Sequence, residues 1–379
     1  MDFALTDRQE ALRGLAREIF QAASSRASGR RSEEGPAPEA FDPALWADLA
    51  SAGLLGVAVP EEAGGAGGGF LDLCMLFEEA GRWAVSAPLV ASLAGAALPV
   101  ARFGSSGQRT RYLPGVADGT LVLTSALPET ALEDPSVTSV AAARDGGLYG
   151  VCPFVPAAGV AHGMVVPART ADGNRMVAVV ELAADGVDVA GQPTSGGGRL
   201  FRVSLAGVRA ADVLGDTSGD TSGGPGGLVT WAAERVAVGL CAFEVGLAER
   251  ALRMTADYTS KREQFGRPLA TFQAVQQRAA DAYIDVEAMR VTAWAAAWRL
   301  GEELPALREV AVAKFWAAEG GHRVLAAAQH LHGGIGVDTD YPLHRYTLAA
   351  KQAELTLGGA NASLARLGRA MAGPGWEDC

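Results

Sequence analysis

Three stretches decide how this chain is read: YTSKREQFGRP over residues 258–268, FQAVQQRAAD over 272–281, and HLHGGIGVDTDYPLHR over 330–345. The first ends one helix and begins another. Gly266 offers a left-handed C-cap and Pro268 prevents continuation of the hydrogen-bond ladder, so a charged helix end is one reading. In the other, Arg262 holds a phosphate through its forked, permanently charged guanidinium, and Gln273 pairs with the polar edge of a heterocycle. In the third stretch Gly333, Gly334 and Gly336 expose backbone amides that a dinucleotide's phosphate or ribose could approach. A glycine turn between helices is the plainer alternative. His330 and His332 stand two residues apart with no cysteine or second histidine pair nearby, which makes a weak metal site for zinc.

Working outward, Leu228 to Met371 is rich in Ala, Leu, Glu and Arg and is interrupted at Gly266-Arg267-Pro268, Gly301 to Pro305 and Gly333 to Pro342. Four or five long helices in a bundle follow. Upstream, Asp216 to Gly227 is a Gly/Ser/Thr/Asp tract that cannot pack a core and reads as a linker. From Thr120 to Leu214 short Val- and Ala-rich segments, such as Met164 to Pro167 and Met176 to Glu181, alternate with Gly, Asp and Pro and predict a β domain. From Phe3 to about Gly104 the apolar spacing is helical, as in Leu5, Leu12, Leu15, Ile19 and in Trp46, Leu49, Leu54. Thr6 is a candidate N-cap for the first helix. Two breaks interrupt this part: Ser24 to Pro43, expected as a loop, and the glycine-rich Pro60 to Gly69. The expected domains are 1–119 helical, 120–215 β, 216–227 linker and 228–379 helical bundle.

The 379 residues carry a net charge of −11, with 49% hydrophobic and 20% charged residues. That composition fits a soluble protein with substantial cores and argues against a general nucleic-acid surface, which needs clustered Lys and Arg. No stretch approaches the roughly 20 apolar residues of a membrane span. Asp2, Asp7 and Glu10 sit where a signal peptide needs a basic start and an apolar run, so a cytoplasmic location is expected. Cys74, Cys152, Cys241 and Cys379 lie far apart and are expected as free thiols.

Taken together, the three stretches resemble the signature of the acyl-CoA dehydrogenases. The segment WADLASAGLLGVAVPEEAGGAGGG, residues 46–69, is similar to the same family's helical domain and its PEE-GG turn. The likeness covers nearly the whole chain. It implies a mainly α fold: an N-terminal helical domain, a central β-barrel and a C-terminal four-helix bundle, with FAD bound between the subunits of a dimer or of a dimer of dimers. By the same resemblance, Arg262 and Phe265 match positions that contact FAD from a neighbouring subunit. Gln273, Gly333 and Gly334 match the adenosine side, and Asn361 matches a further FAD contact. The implied partners are an acyl-CoA substrate, a homologous subunit and an electron acceptor such as an electron-transfer flavoprotein. The implied setting is fatty acid or steroid degradation.

The family's reaction takes a proton from the α carbon of an acyl thioester while the β carbon gives up a hydride to the flavin. It needs a carboxylate base in a dry pocket and hydrogen-bond donors on the thioester oxygen. In the family that base most often lies about twenty residues after the Gly-Gly motif. Counting without gaps from Gly333-Gly334, the position holds Leu357, within Thr356-Leu357-Gly358-Gly359. Leucine cannot accept a proton, although its backbone N–H can bind a carbonyl.

A minority of the family carries the glutamate on the first long helix of the bundle, and Glu234 lies near there. The ungapped count falls on Val236 instead, and two residues along a helix turn a side chain by about 200°. Glu354, three residues before Leu357, is another candidate. The middle region departs as well. It reads Ser125-Ala126-Leu127-Pro128-Glu129-Thr130-Ala131-Leu132-Glu133-Asp134 and Phe154-Val155-Pro156-Ala157-Ala158 where the family has its flavin-ring motifs. Some bacterial relatives are heterotetramers of two similar chains, one supplying the base and the other completing the FAD site. This chain has the pattern of such a completing subunit. The alternatives are a self-sufficient enzyme with Glu234 as base and an assembly or acyl-CoA-binding homologue without dehydrogenation.

Overall fold

The computed structural model describes residues 4–30, 41–127, 131–132, 134, 137–194, 199–215 and 227–372. Expectations resting on residues 31–40, Pro128 to Thr130, Glu133, the tract 216–226 and Cys379 fall outside that set.

The N-terminal helices are α1 (Asp7–Arg30), α2 (Pro43–Ser51), α3 (Phe70–Arg82), α4 (Leu98–Phe103) and α5 (Ser106–Ala117). The first helix runs past Ser24, where a loop is expected from the sequence, because no glycine or proline interrupts it before Gly29. A surface ion pair from Arg26 to Asp48 at 2.7 Å joins this extension to α2. Helix α2 starts where Asp42 accepts from the amides of Ala44 and Leu45 ahead of Pro43, and it buries Leu45, Trp46 and Leu49. Helix α5 starts on a reciprocal Ser105–Gln108 capping box. The glycine-rich break at Pro60 to Gly69 is a built turn, since Gly64 and Gly67 have φ of 82° and 61°. A Cβ on Gly65 would lie 2.1 Å from the Val59 carbonyl oxygen.

The middle strands are β1 (Leu123–Ser125), β2 (Val140–Ala142), β3 (Gly147–Pro156), β4 (Gly163–Thr170), β5 (Arg175–Glu181), β6 (Val187–Pro193), β7 (Arg199–Arg209) and β8 (Asp212–Leu214). One eight-stranded mixed sheet stands where the barrel is expected. Its hydrogen-bonded order is β6-β7-β3-β2-β4-β5-β8, with β1 parallel to β4. The buried runs Gly163 to Ala168 and Val177 to Val180 feed a core with Val140, Leu148, Val203 and Val208.

The C-terminal region contains α6 (Leu228–Lys261), a hairpin of β9 (Glu263–Gln264) and β10 (Arg267–Pro268), α7 (Gln273–Gly301), α8 (Leu307–His332), α9 (Leu343–Leu355) and α10 (Ala360–Ala372). All three expected interruptions separate helices.

The chain divides into two compact units. One comprises Met1–Asp7, Cys74–Val85 and Ala237–Cys379, and the other Arg8–Leu73 and Ser86–Val236. Within the first, α3 and α6 approach backbone to backbone at reciprocal glycines. A Cβ on Gly81 would lie 1.9 Å from the Phe243 carbonyl oxygen, and one on Gly246 would lie 1.9 Å from that of Glu78. Beside this approach Glu78 is buried and receives Arg82 at 3.1 Å, the Trp294 indole N–H at 3.1 Å and Arg290. Glu249 takes a second arm of Arg290 at 2.6 Å and also pairs with Arg82. Glu79, also buried, takes the Arg82 Nε at 3.1 Å, so removing Arg82 or Arg290 would leave buried carboxylates short of a counter-charge. Cys74, Cys152 and Cys241 are buried free thiols. No helix among the described residues is long and apolar enough to cross a membrane.

Candidate functional site

Helix α6 ends at Lys261, and Gly266 is not its C-cap. Instead the chain turns through the β9–β10 hairpin, with Gln264 opposite Arg267 and Glu263 opposite Pro268. The two central residues, Phe265 and Gly266, have φ of 55° and 77°, as a type I′ turn requires. Glycine adopts this conformation freely, whereas phenylalanine is strained there. Phe265 is nevertheless 91% exposed, and its ring lies edge-on to Phe272, at 6.3 Å between centroids. Arg267 stacks over that same Phe272 ring at 4.1 Å. A large apolar side chain held outward on a strained turn does little for the folding of this chain and suits a surface offered to something else. Arg262 is exposed beside it, its carbonyl accepting from the Leu269 amide at 2.8 Å. Gln273 opens α7 and is also exposed.

At the far end of α8, Gly333 has φ 66° and ψ −143°, a region closed to side-chain-bearing residues. A Cβ on Gly333 or Gly334 would meet nothing within 4 Å, so both backbones face open space. The turn is anchored by His332, which is buried. Its Nδ1 lies 2.8 Å from the Ala328 carbonyl oxygen and its Nε2 lies 3.0 Å from the Tyr341 hydroxyl. A carbonyl can only accept, so Nδ1 carries the proton and Nε2 accepts from Tyr341. The Tyr258 ring stacks on the imidazole at 4.6 Å and 20°. Burial holds the imidazole below its ordinary pKa, which keeps it neutral. His332 is thus a latch with both nitrogens engaged. Among the described residues no group of three His, Cys, Asp or Glu could hold a metal ion.

This latch brings two of the motif stretches together, because Tyr258 belongs to the first and His332 and Tyr341 to the last. The sequence carried the signal as three aromatic residues, but nothing in their spacing said that they meet. Beyond them, α9 ends at Leu355. Leu357 is only 6% exposed and has φ 59°, and Gly358 follows at 89°. Glu354 is half-buried and paired with Lys351. Asn361 is exposed in the first turn of α10.

The remaining candidates belong to the other unit. Glu234 is half-buried on α6, next to Arg235, whose guanidinium is buried and lies 3.5 Å over the Trp231 ring. Phe154 is exposed with φ 59° at a register shift between β3 and β7. Ser125 is buried, with Gly95 making room: a Cβ there would lie 2.1 Å from the Ser125 hydroxyl.

Comparisons with known proteins match this layout. Residues 6–120 match the acyl-CoA dehydrogenase N-terminal domain and residues 227–372 the acyl-CoA dehydrogenase C-terminal domain. The chain is 38% identical to acyl-CoA dehydrogenase FadE27 of Mycobacterium tuberculosis, over 98% of this chain and 99% of that protein. Among solved structures it resembles the ChsE4-ChsE5 complex from Mycobacterium tuberculosis, with 39% identity, a TM-score of 0.88 and coverage of 98% and 99%. It also resembles a variant of the Tcur3481-Tcur3483 steroid ACAD, with 41% identity, a TM-score of 0.86 and coverage of 97% and 98%. Butyryl-CoA dehydrogenase from Megasphaera elsdenii shares 26% identity at a TM-score of 0.87, covering 98% of this chain and all of that one. The chain belongs to the acyl-CoA dehydrogenase family of FAD-binding oxidoreductases that act on CH–CH bonds.

Proposed function

We propose that this chain is a half-site subunit of a heteromeric acyl-CoA dehydrogenase, completing a flavin site for a homologous partner that supplies the catalytic base. The observation that carries the reading is Leu357. It occupies the position where the family most often holds its glutamate, its side chain is buried, and a hydrocarbon cannot take the α proton. Identity of 39% to a chain of the ChsE4-ChsE5 complex supports it, as does the altered middle region.

The residues present fit the outer part of a flavin nucleotide. Gly333 and Gly334 offer backbone amides facing open space, Arg262 offers an exposed cation for a phosphate, and Phe265 offers an exposed apolar ring. Gln273 and Asn361 add exposed amide groups. Bound FAD supplies the hydride acceptor that no side chain can provide. The chain's own part is to bind and orient, and the Leu357 amide is available to a carbonyl. The substrate class is an acyl-CoA thioester, and the electrons pass on to an acceptor such as an electron-transfer flavoprotein.

The test is the visible spectrum and native mass of the chain purified alone and co-expressed with a homologous acyl-CoA dehydrogenase chain. Flavin absorbance confined to the mixed complex supports the reading, and a yellow homotetramer that oxidises acyl-CoA by itself refutes it. In that event Glu234 becomes the favoured base, because it is a half-buried carboxyl on the first bundle helix. Glu234→Gln should then abolish turnover with flavin still bound. A chain without flavin in any assembly would instead be a binding or assembly homologue.

A further inference from the structure

Among the ionisable side chains buried in the bundle, Glu244 and Lys314 are two that the reaction does not use. Glu244 on α6 is 1% exposed, and neither of its carboxyl oxygens has a hydrogen-bond partner. Lys314 on α8 is also 1% exposed, and its ammonium donates to the carbonyls of Ala353 at 2.8 Å and Glu354 at 3.1 Å. Those carbonyls belong to the last turn of α9, where helix carbonyls lack partners and carry partial negative charge. Immediately beyond them come Thr356, the left-handed Leu357 and Gly358, and then Asn361. Lys314 therefore ties the end of α9 to α8 at the point where the chain enters this turn.

Glu244 lies within electrostatic range of the same ammonium but makes no hydrogen bond to it. The charged groups acting on it are Lys314 from α8 and Lys351 and Glu354 from α9. The last two are paired with each other, and Lys351 also reaches His322 at 3.2 Å. From its own helix comes the Cys241 thiol. Next to the carboxyl, at Gly321, α7 presents the uncharged Met289 methyl. Gly321 leaves room for the acid, since a Cβ there would lie 3.1 Å from Glu244 Oε1.

We infer that Lys314 is a positioning residue for the Thr356–Asn361 segment and that Glu244 governs it by competing for the ammonium. While the carboxyl is neutral, Lys314 stays on the α9 carbonyls. Once the carboxylate forms, a full charge in a low-dielectric interior outbids two carbonyl dipoles, and the segment loosens. Burial pushes the Glu244 carboxyl up to about 8, with Lys314 opposing, so the clamp holds at neutral pH and releases in mild alkali. The role toward cofactor rests on the proposal that Asn361 contacts FAD.

The experiment compares wild type, Lys314→Met, Lys314→Arg and Glu244→Gln as full chains in their native assembly. Amide exchange of the segment 353–361 is measured at pH 7 and 9, corrected for intrinsic rates, alongside retention of FAD on gel filtration. Lys314→Met should speed exchange about tenfold at both pH values. Lys314→Arg should restore slow exchange at pH 7. Wild type should loosen between pH 7 and 9 and Glu244→Gln should not, with FAD loss following the same order. Unchanged exchange in Lys314→Met, or an identical pH response in wild type and Glu244→Gln, overturns the inference. If Lys314→Met does not fold, the other two variants still decide it. Exchange that changes as expected while FAD retention does not overturns the role toward the cofactor. If no assembly binds FAD, the flavin reading fails and the exchange data alone judge the clamp.

Discussion

Replacing Glu244 by glutamine should make the protein more resistant to alkali. The carboxyl titrates at 4.5 when free and at about 8 in the fold, where burial disfavours its charge. Between those values the folded chain binds more protons than the unfolded chain, so its stability falls as pH rises and levels off above the folded value. The interval corresponds to on the order of 5 kcal/mol. With an unfolding entropy of roughly 0.8 kcal/mol per degree for a chain of this length, that is roughly 6 °C in melting temperature. Glutamine has the same shape and no charge at any pH, and its unpartnered amide contributes a constant offset. The assay is thermal unfolding of wild type and Glu244→Gln at pH 5.5 and pH 9 at fixed ionic strength, reading the difference between the two proteins. Titration of all other groups cancels in that difference. The glutamine variant should gain several degrees on wild type between the two pH values. A gap that stays constant, or moves in favour of wild type as pH rises, refutes the account.

Leu357→Gly should be more stable than Leu357→Ala by about 1 kcal/mol, reversing the usual order, because only alanine keeps the left-handed penalty; urea unfolding of both variants checks it. Phe265→Ala should leave stability within about 0.5 kcal/mol, since the ring is exposed, yet lower FAD retention by the native assembly; equal retention would remove Phe265 from the site. His332→Phe should cost about 1 kcal/mol at pH 8 through the lost Tyr341 bond. Because burial depresses the His332 pKa, wild type loses stability as pH falls below 6.5, and the phenylalanine variant should close the gap there in melts at pH 8 and 5.5.

The broad architecture was legible because it rests on periodicity and punctuation. The interruptions at Gly301 and Gly333 end helices for the local reasons glycine and proline always supply, and Met164 to Pro167 and Met176 to Glu181 do fall in β4 and β5. Local chemistry misled at Gly266, where the same residues that cap a helix also make a type I′ turn, and only the pairing of Glu263 with Pro268 distinguishes the two. It misled again after Ser24, where helix propensity outlasted the expected loop. Leu357 was found by counting, but its left-handed backbone was not, because leucine gives no sign of it. Glu244 is invisible in the sequence: a single polar residue in Cys241-Ala242-Phe243-Glu244-Val245 looks like a helix edge, and only the fold shows that it is buried, within electrostatic range of Lys314 seventy residues on. The latch role of His332 is likewise not legible in the sequence, because its partners, Tyr258 and Tyr341, lie on other elements.

The close approach of α3 and α6 at Gly81 and Gly246 has a consequence for biosynthesis. Residues 74–85 leave the ribosome roughly 150 residues ahead of the helix they pack against, an interval on the order of 10 to 30 s at ordinary elongation rates. During that time Glu78 and Arg82 have neither Glu249 nor Arg290 to answer them, and the glycine face of α3 has no counterpart. The nascent N-terminal half must therefore wait in a partly open form, exposed to chaperones and proteases. A chain truncated before α7 would lack Arg290 and Trp294 and leave Glu78 with Arg82 of its own helix as its counter-charge.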